Sequence, residues 1–308
     1  MHRFFLAMFP MFPMSPVSHR SVCGALAFSS LLVACSTPPP STVALRERLV
    51  AVTASHELIT FNAAQPDRIL ERRPVTGLAA GERLVGIDFR VAKGVLYALS
   101  QAGRLYTLDI PTGALKPVGN APAAFVLRGA AFGFDFNPAA DRIRVVSSTG
   151  QNLRLHPDTG AVVDGYPAVD GVQPDPALRY AASDVHARRA PDIAGAAYTY
   201  NTQDSKLTTN YAIDRTLGAL VMQGTREGVT PAVSPNTGQL RTVGMLGLPP
   251  LTDVAFDIAD VGNTALMAVR TATDRGTRLH VVDLATGGTK PLGTVGEGAP
   301  LLGMAIEP

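Results

Sequence analysis

The sequence predicts an all-β fold, a propeller of five four-stranded blades closed by a strand from the C-terminus. Three observations carry that expectation. The stretch from Leu84 to Gly119 divides at Lys93-Gly94, Gln101-Ala102-Gly103 and Pro111-Thr112-Gly113 into four apolar segments of strand length, and those breaks have the chemistry of tight turns between antiparallel strands. Related units recur downstream at a period of about 45–60 residues, as blades do. The first unit lacks its opening Gly-apolar-Asp-apolar segment, and such a segment stands at the far end, as Leu301-Leu302-Gly303-Met304-Ala305-Ile306. A ring closed by that strand removes the open edges that template aggregation.

The elements follow in order. Arg20 precedes an apolar run, Val22 to Ala34, that ends in Leu32-Val33-Ala34-Cys35. The run is too short to span a bilayer, and Leu32-Val33-Ala34-Cys35 resembles a bacterial lipobox. Residues 1–34 are therefore read as a signal peptide and Cys35 as the lipidation site, with a plain secretory signal as the alternative. Met14 is a second candidate start. The Pro-rich segment that follows makes 35–44 a tether, and 45–308 the propeller domain. Ser36, in place of Asp, points to the outer membrane facing the periplasm.

Removing Arg3 and Arg20 from the 27 basic residues leaves 25, against 25 acidic. A mature chain without net charge argues against nucleic acid as a partner. Cys23 and Cys35 are the two cysteines, so the propeller domain has no disulfide and must be held by packing.

Unit one reads as strands at Leu49–Ser55, Glu57–Asn62 and Arg68–Pro74. Unit two is Leu84 to Gly119, and unit three runs from Gly129 to Gly165. Residues 166–192 break the rhythm with four prolines and little strand pattern, and a loop of that length in a compact domain is often functional. Unit four begins at Ile193–Tyr198 and continues through Leu207–Ile213, Leu220–Gly224 and Gln239–Leu246. Unit five opens at Asp253–Ile258 and hands over to the closing strand.

The segments GIDFRVAKGVLYALSQAGRLYTLDIPTG and GFDFNPAADRIRVVSSTGQNLRLHPDTG, with the later AAYTYN and TTNYAIDRTLGALVMQG, resemble a bacterial family known as domain of unknown function 4394. The resemblance covers nearly everything after the tether. Departures are Ala197 and Ala305, where other units carry Asp, and the run His186-Ala187-Arg188-Arg189. The resemblance implies propeller-like repeats and an exported or envelope setting, and transfers no catalytic residue.

Four constellations bear on chemistry. Asp88, Asp135 and Asp257 stand at one point of three first strands, which line the channel of a propeller. They could hold a divalent cation through oxygen ligands, or each could accept hydrogen bonds from backbone N–H groups of the adjacent blade, the reading preferred here. The Asp/Asn-Thr-Gly turns at Asp109–Gly113, Pro157–Gly160, Asn236–Gly238 and Asp283–Gly287 read as structural. In unit three, Asn137, Asp141, Arg142, Arg144, Asn152, Arg154 and His156 alternate along paired strands. From these, Asn137, Arg144, Asn152 and Arg154 form a candidate site for a small polar or anionic ligand, with an inter-blade salt-bridge ladder as the competing account. Asp184 and His186 in the long loop read as solvated, since no nucleophile motif accompanies them.

The functional expectation is a lipid-anchored envelope propeller that binds a ligand or an envelope protein. A hydrolase or lactonase-like enzyme with a metal or acid site in the channel is one alternative, and a scaffold for envelope proteins is another.

Overall fold

Why one blade stacks on the next is explained by a glycine two residues before the hub position of four of the five inner strands, Ala255 taking that place in the strand of Asp257. The computed structural model describes residues 45–119 and 125–308. Within it, a Cβ on Gly86 would meet Phe134 Cβ at 2.5 Å, one on Gly133 would meet Ala196 N at 2.6 Å, one on Gly195 would meet Phe256 Cβ at 2.9 Å, and one on Gly303 would meet Ile87 N at 2.8 Å. Each obstructing atom belongs to the next inner strand around the ring. Only glycine lets the strands converge so closely at the axis.

The strands are β1 (Arg48–Thr53), β2 (Glu57–Asn62) and β3 (Gln65–Pro74); then β4 (Leu84–Arg90), β5 (Val95–Ser100), β6 (Leu105–Asp109) and β7 (Ala114–Pro117). The third sheet has β8 (Phe132–Asn137), β9 (Arg142–Ser147) and β10 (Asn152–Leu155). A short β11 (Arg179–Tyr180) precedes β12 (Ile193–Tyr198), β13 (Asn210–Asp214), β14 (Ala219–Gln223) and β15 (Gln239–Met245). The last sheet is β16 (Leu251–Ile258), β17 (Ala265–Thr271), β18 (Arg278–Val282) and β19 (Thr289–Thr294), followed by β20 (Leu301–Ile306).

These strands form five sheets, the blades of a propeller. The inner strands β20, β4, β8, β12 and β16 touch in that order and close back on β20. The closing strand is where the sequence places it: β20 pairs antiparallel with β1, and Ala305 faces Val50 in register. Apolar side chains fill the spaces between blades. Val50, Val52 and Ala305 of the first blade, for example, pack with Ile87, Leu96 and Tyr106 of the second.

Two blades depart from the expected four strands. The outer strand of the third is reduced to an isolated bridge, Leu155 with Val162, after which the chain turns away. That chain then supplies β11, which pairs parallel with β15 and makes the fourth blade five-stranded. The expected strand Leu207–Ile213 begins only at Asn210. Thr199 holds the preceding residues out of the ladder: its Oγ1 accepts from Thr209 N at 2.8 Å, and its carbonyl accepts from Thr208 Oγ1 at 2.6 Å.

Candidate functional site

At the hub, Asp88, Asp135 and Asp257 converge, with one oxygen from each lying within 4.8 Å of the others. All three are buried. Asp88 Oδ2 accepts from Phe136 N at 2.7 Å, Asp135 Oδ1 from Tyr198 N at 2.9 Å, and Asp257 Oδ2 from Ile306 N at 2.6 Å. Each of those donors sits on the inner strand of the following blade. Ala197 and Ala305 leave the next two N–H groups without such a partner, and the aspartates preceding those groups serve them: Asp257 Oδ1 accepts from Ile258 N at 2.6 Å, and Asp88 bonds Phe89 N. Three carboxylates thus satisfy five equivalent N–H groups, one per blade.

The hub is also an electrostatic load. Burial pushes the carboxyl groups of Asp88 and Asp135 well above the usual range, and repulsion among the three adds to it. Asp257, likewise raised by burial, comes to about 7, held lower by the N–H groups of Ile306 and Ile258 and by a hydrogen bond from Asp135. The three titrate as a unit. Oxygen donors in this geometry suit a divalent cation, and Asp88, Asp135 and Asp257 would be its ligands. The hydrogen bonds and shared protons account for the same residues.

A second polar region opens between the third and fourth blades, a cleft of 530 Å³. Asn137, Arg142, Arg144 and Arg154 line it from the third blade, and Tyr198, Lys206 and Arg226 from the fourth. Arg144 and Arg154 are directly opposed across β9 and β10. Asp175, from the long loop, lies between them. It accepts from Arg144 Nη1 at 2.8 Å and from Arg154 Nε and Nη2 at 2.8 and 2.7 Å. Arg144 also donates to Tyr198 Oη at 3.2 Å, to Asn152 Oδ1 at 2.8 Å and to Asn236 Oδ1. It is 1% exposed. Burial opposes its charge, but Tyr198 and Asp175 outweigh that and hold its pKa above the ordinary value.

The four residues singled out from sequence therefore divide. Arg154 and Asn137 face the cleft, although Asn137 Oδ1 is engaged by Ala139 N and Ala140 N of its own turn. Arg144 lines the cleft with most of its donors engaged by protein. Asn152 lies behind it, accepting from Arg144 and Gln223 and donating to Pro176 O at 3.0 Å. Sequence reasoning missed Asp175, Lys206 and Arg226 and read Asn236 only as part of a structural turn; all four come from connecting segments whose placement no strand periodicity encodes.

Arg90 is a further inter-blade tie. Its guanidinium is forked on Asp141 and reaches Asp158 at 2.6 Å. The Asp141 bond is the largest of the effects that raise its pKa. Asp141 itself has φ of +50°, a left-handed conformation that this fork helps to fix. Asp184 and His186 lie side by side, with Oδ1 3.6 Å from Nδ1. Rather than being solvated, they fasten the long loop to β15: Thr242 N donates to Asp184 Oδ2 at 2.7 Å, and His186 Nδ1 lies 2.9 Å from Thr242 Oγ1.

A five-bladed propeller with a carboxylate hub and a cationic cleft between two blades is the class of protein this geometry defines. The family model "Domain of unknown function (DUF4394)" matches residues 57–305, and the chain belongs to that family. No curated protein matches the chain. Similar solved structures include the dihydro-heme d1 dehydrogenase NirN in complex with DHE, at 15% identity and TM-score 0.37, covering 83% of this chain and 45% of that one. Another is a nidogen/laminin complex, at 12% identity and TM-score 0.46, covering 85% and 98%. A third is a structural-genomics protein of unknown function from Bacteroides thetaiotaomicron VPI-5482, at 14% identity and TM-score 0.44, covering 84% and 63%. The chain thus spans less than half the length of the first of these. At such identities no activity carries across.

Proposed function

We propose that this propeller is an envelope-anchored binding module for a small anionic ligand, which it takes in the cleft between its third and fourth blades. The charge of that cleft is the observation that carries the reading. Arg142, Arg144, Arg154, Lys206 and Arg226 line it, against a single acid, Glu227, whose carboxylate is engaged by Thr199 and Asn201. Asp175 behind the wall offsets one further charge, so the cleft is strongly cationic in a chain whose overall formal charge is only +2. Guanidinium groups present planar pairs of donors suited to carboxylate and phosphate.

Anchorage rests on Cys35 and its lipobox-like context, which lie outside the described residues. A lipid there would hold the propeller at the outer membrane, facing the periplasm. Cys35→Ser should move the protein from the membrane to the soluble exported fraction, and a membrane-bound Cys35→Ser protein would refute the anchor.

The ligand reading is tested by titrating the full chain with inorganic phosphate and with citrate. Binding that weakens in Arg142→Gln or Arg226→Gln supports it, and affinities unmoved by both substitutions would reject it. The scaffold alternative has one observation in its favour: Val126 and Val172 are 72% and 61% exposed beside a groove of 710 Å³ at the outer edge of the third blade.

A further inference from the structure

We infer that the ligand of the inter-blade cleft is a short dicarboxylate, with one carboxylate on the third-blade wall and the other on the fourth-blade wall. The inference rests on the anion-binding reading above and names its substrate class.

The argument begins with which donors are uncommitted. On the third-blade side, Arg142 spends Nη1 on Asp141 O at 2.8 Å, and Arg154 spends Nε and Nη2 on Asp175. Their remaining N–H groups have no acceptor among the described residues. On the fourth-blade side, neither Lys206 nor Arg226 makes an ion pair among the described residues, although both line the cleft, and Arg226 gives one of its donors to Tyr211. Free cationic donors therefore stand on two walls that belong to different sheets.

A single anionic group answers one wall and leaves the other unpaired. Counting the five cations against Glu227 and Asp175 leaves three positive charges, which favours a ligand of charge −2 or −3 over a monoanion. The lining also carries apolar side chains beside the polar Thr208, Thr225 and Ser234. Ala139 and Ala140 come from the third blade, and Leu207, Val233 and Pro235 from the fourth. Two anionic ends joined by a short hydrocarbon match cations on both walls together with this apolar surface. Facing sheets pack about 10 Å apart, so the joining segment is limited to a few methylenes. A compact dianion such as phosphate carries the charge and cannot reach both walls.

Isothermal titration of the full chain with succinate, glutarate, butyrate and inorganic phosphate tests this. A dicarboxylate should bind about tenfold or more tightly than butyrate. Arg142→Gln and Arg226→Gln should each lower dicarboxylate affinity to the butyrate level, while only one of them weakens butyrate. Circular-dichroism melting confirms that both partly exposed substitutions leave the fold intact. Butyrate binding as tightly as the dicarboxylates, or phosphate binding more tightly than either, would overturn the two-wall ligand and leave an anion cleft standing. If no anion binds, and no amide resonance of residues 137–142 or 206–208 shifts at saturating glutarate, the underlying reading falls as well.

Discussion

Arg144 and Arg154 occupy directly opposed positions on β9 and β10, two like charges in one register step, and both point at a single carboxylate, that of Asp175. Opposed like charges destabilise a strand pair, so the neutralising group carries the burden. It comes from the long loop, at the start of the run that ends in β11.

Asp175→Asn is therefore expected to cost about 3–5 kcal/mol, the cost of leaving a buried cation uncompensated. Denaturant melts of the parent and variant measure it. A loss below about 1 kcal/mol would mean that the two guanidinium groups are neutralised from elsewhere.

The hub predicts an unusual pH dependence. Its carboxyl groups have folded pKa values above the unfolded value of about 3.9, so the folded state holds their protons more tightly. The stability they contribute is complete below about pH 4 and is lost as pH rises from there through their folded values, which for Asp257 is about 7. Asp135→Asn mimics the protonated acid, keeping an acceptor for Tyr198 N and a donor toward Asp257. It should be near neutral below about pH 4 and increasingly stabilising above it, by about 1 kcal/mol or more at pH 8, or at least about 2–4 °C in Tm. A variant that melts below the parent at pH 8 would show that Asp135 is needed as an anion. Recovery of the parent at pH 8 by millimolar calcium, absent in the variant, would identify the trio as cation ligands.

The loop fastening at Asp184 has the opposite sign. Its carboxyl pKa lies below the usual value: burial pulls upward, but the donors from Thr242 and His186 outweigh it. The contribution is present above about pH 4 and is lost as pH falls through the lowered folded value. Limited proteolysis should cut residues 181–191 faster in Asp184→Asn than in the parent at pH 7. Equal cleavage rates would show that the loop is held by β11 alone.

Removal of residues after Pro300 tests the ring closure. Met304, Ala305 and Ile306 are buried, and Ile306 N is a hub donor. Buried side chains of this size contribute about 1.5–3 kcal/mol each when large and apolar. Together with the lost ladder they rival the 5–15 kcal/mol typical of a whole domain. The truncated chain should fail to melt cooperatively, and a parent-like transition would refute a strand-closed ring.

The ring and its closing strand were legible because repetition is written in residues: a turn, an alternation, and an opening segment that reads Gly-apolar-Asp in units two and three and varies by one residue in the others. The hub aspartates were visible for the same reason, and the preferred reading of them, as acceptors for neighbouring blades, agrees with the bonds they make. Less was legible where geometry depends on long-range packing. The segment Ala161–Val163 has the composition of an outer strand, yet it makes only one bridge. The proline-bearing loop that follows hid the strand Arg179–Tyr180, two residues long and paired in parallel with a partner some sixty positions away. Lys206 and Arg226 carry no local signature at all, and only the stacking of one blade on the next brings them opposite Arg142.

The short β11 changes how the ring can come apart. Because it is chain that has left the third blade and joined the outer edge of the fourth, those two blades are laced at their rims as well as packed along their faces. A ring under thermal or mechanical load opens first at its least-fastened seam, and this seam is doubly fastened. The cleft lies along it, so its two cationic walls belong to sheets joined by main chain as well as by side chains. The first and second blades share the device in smaller form, where Thr76 bridges to Ala114.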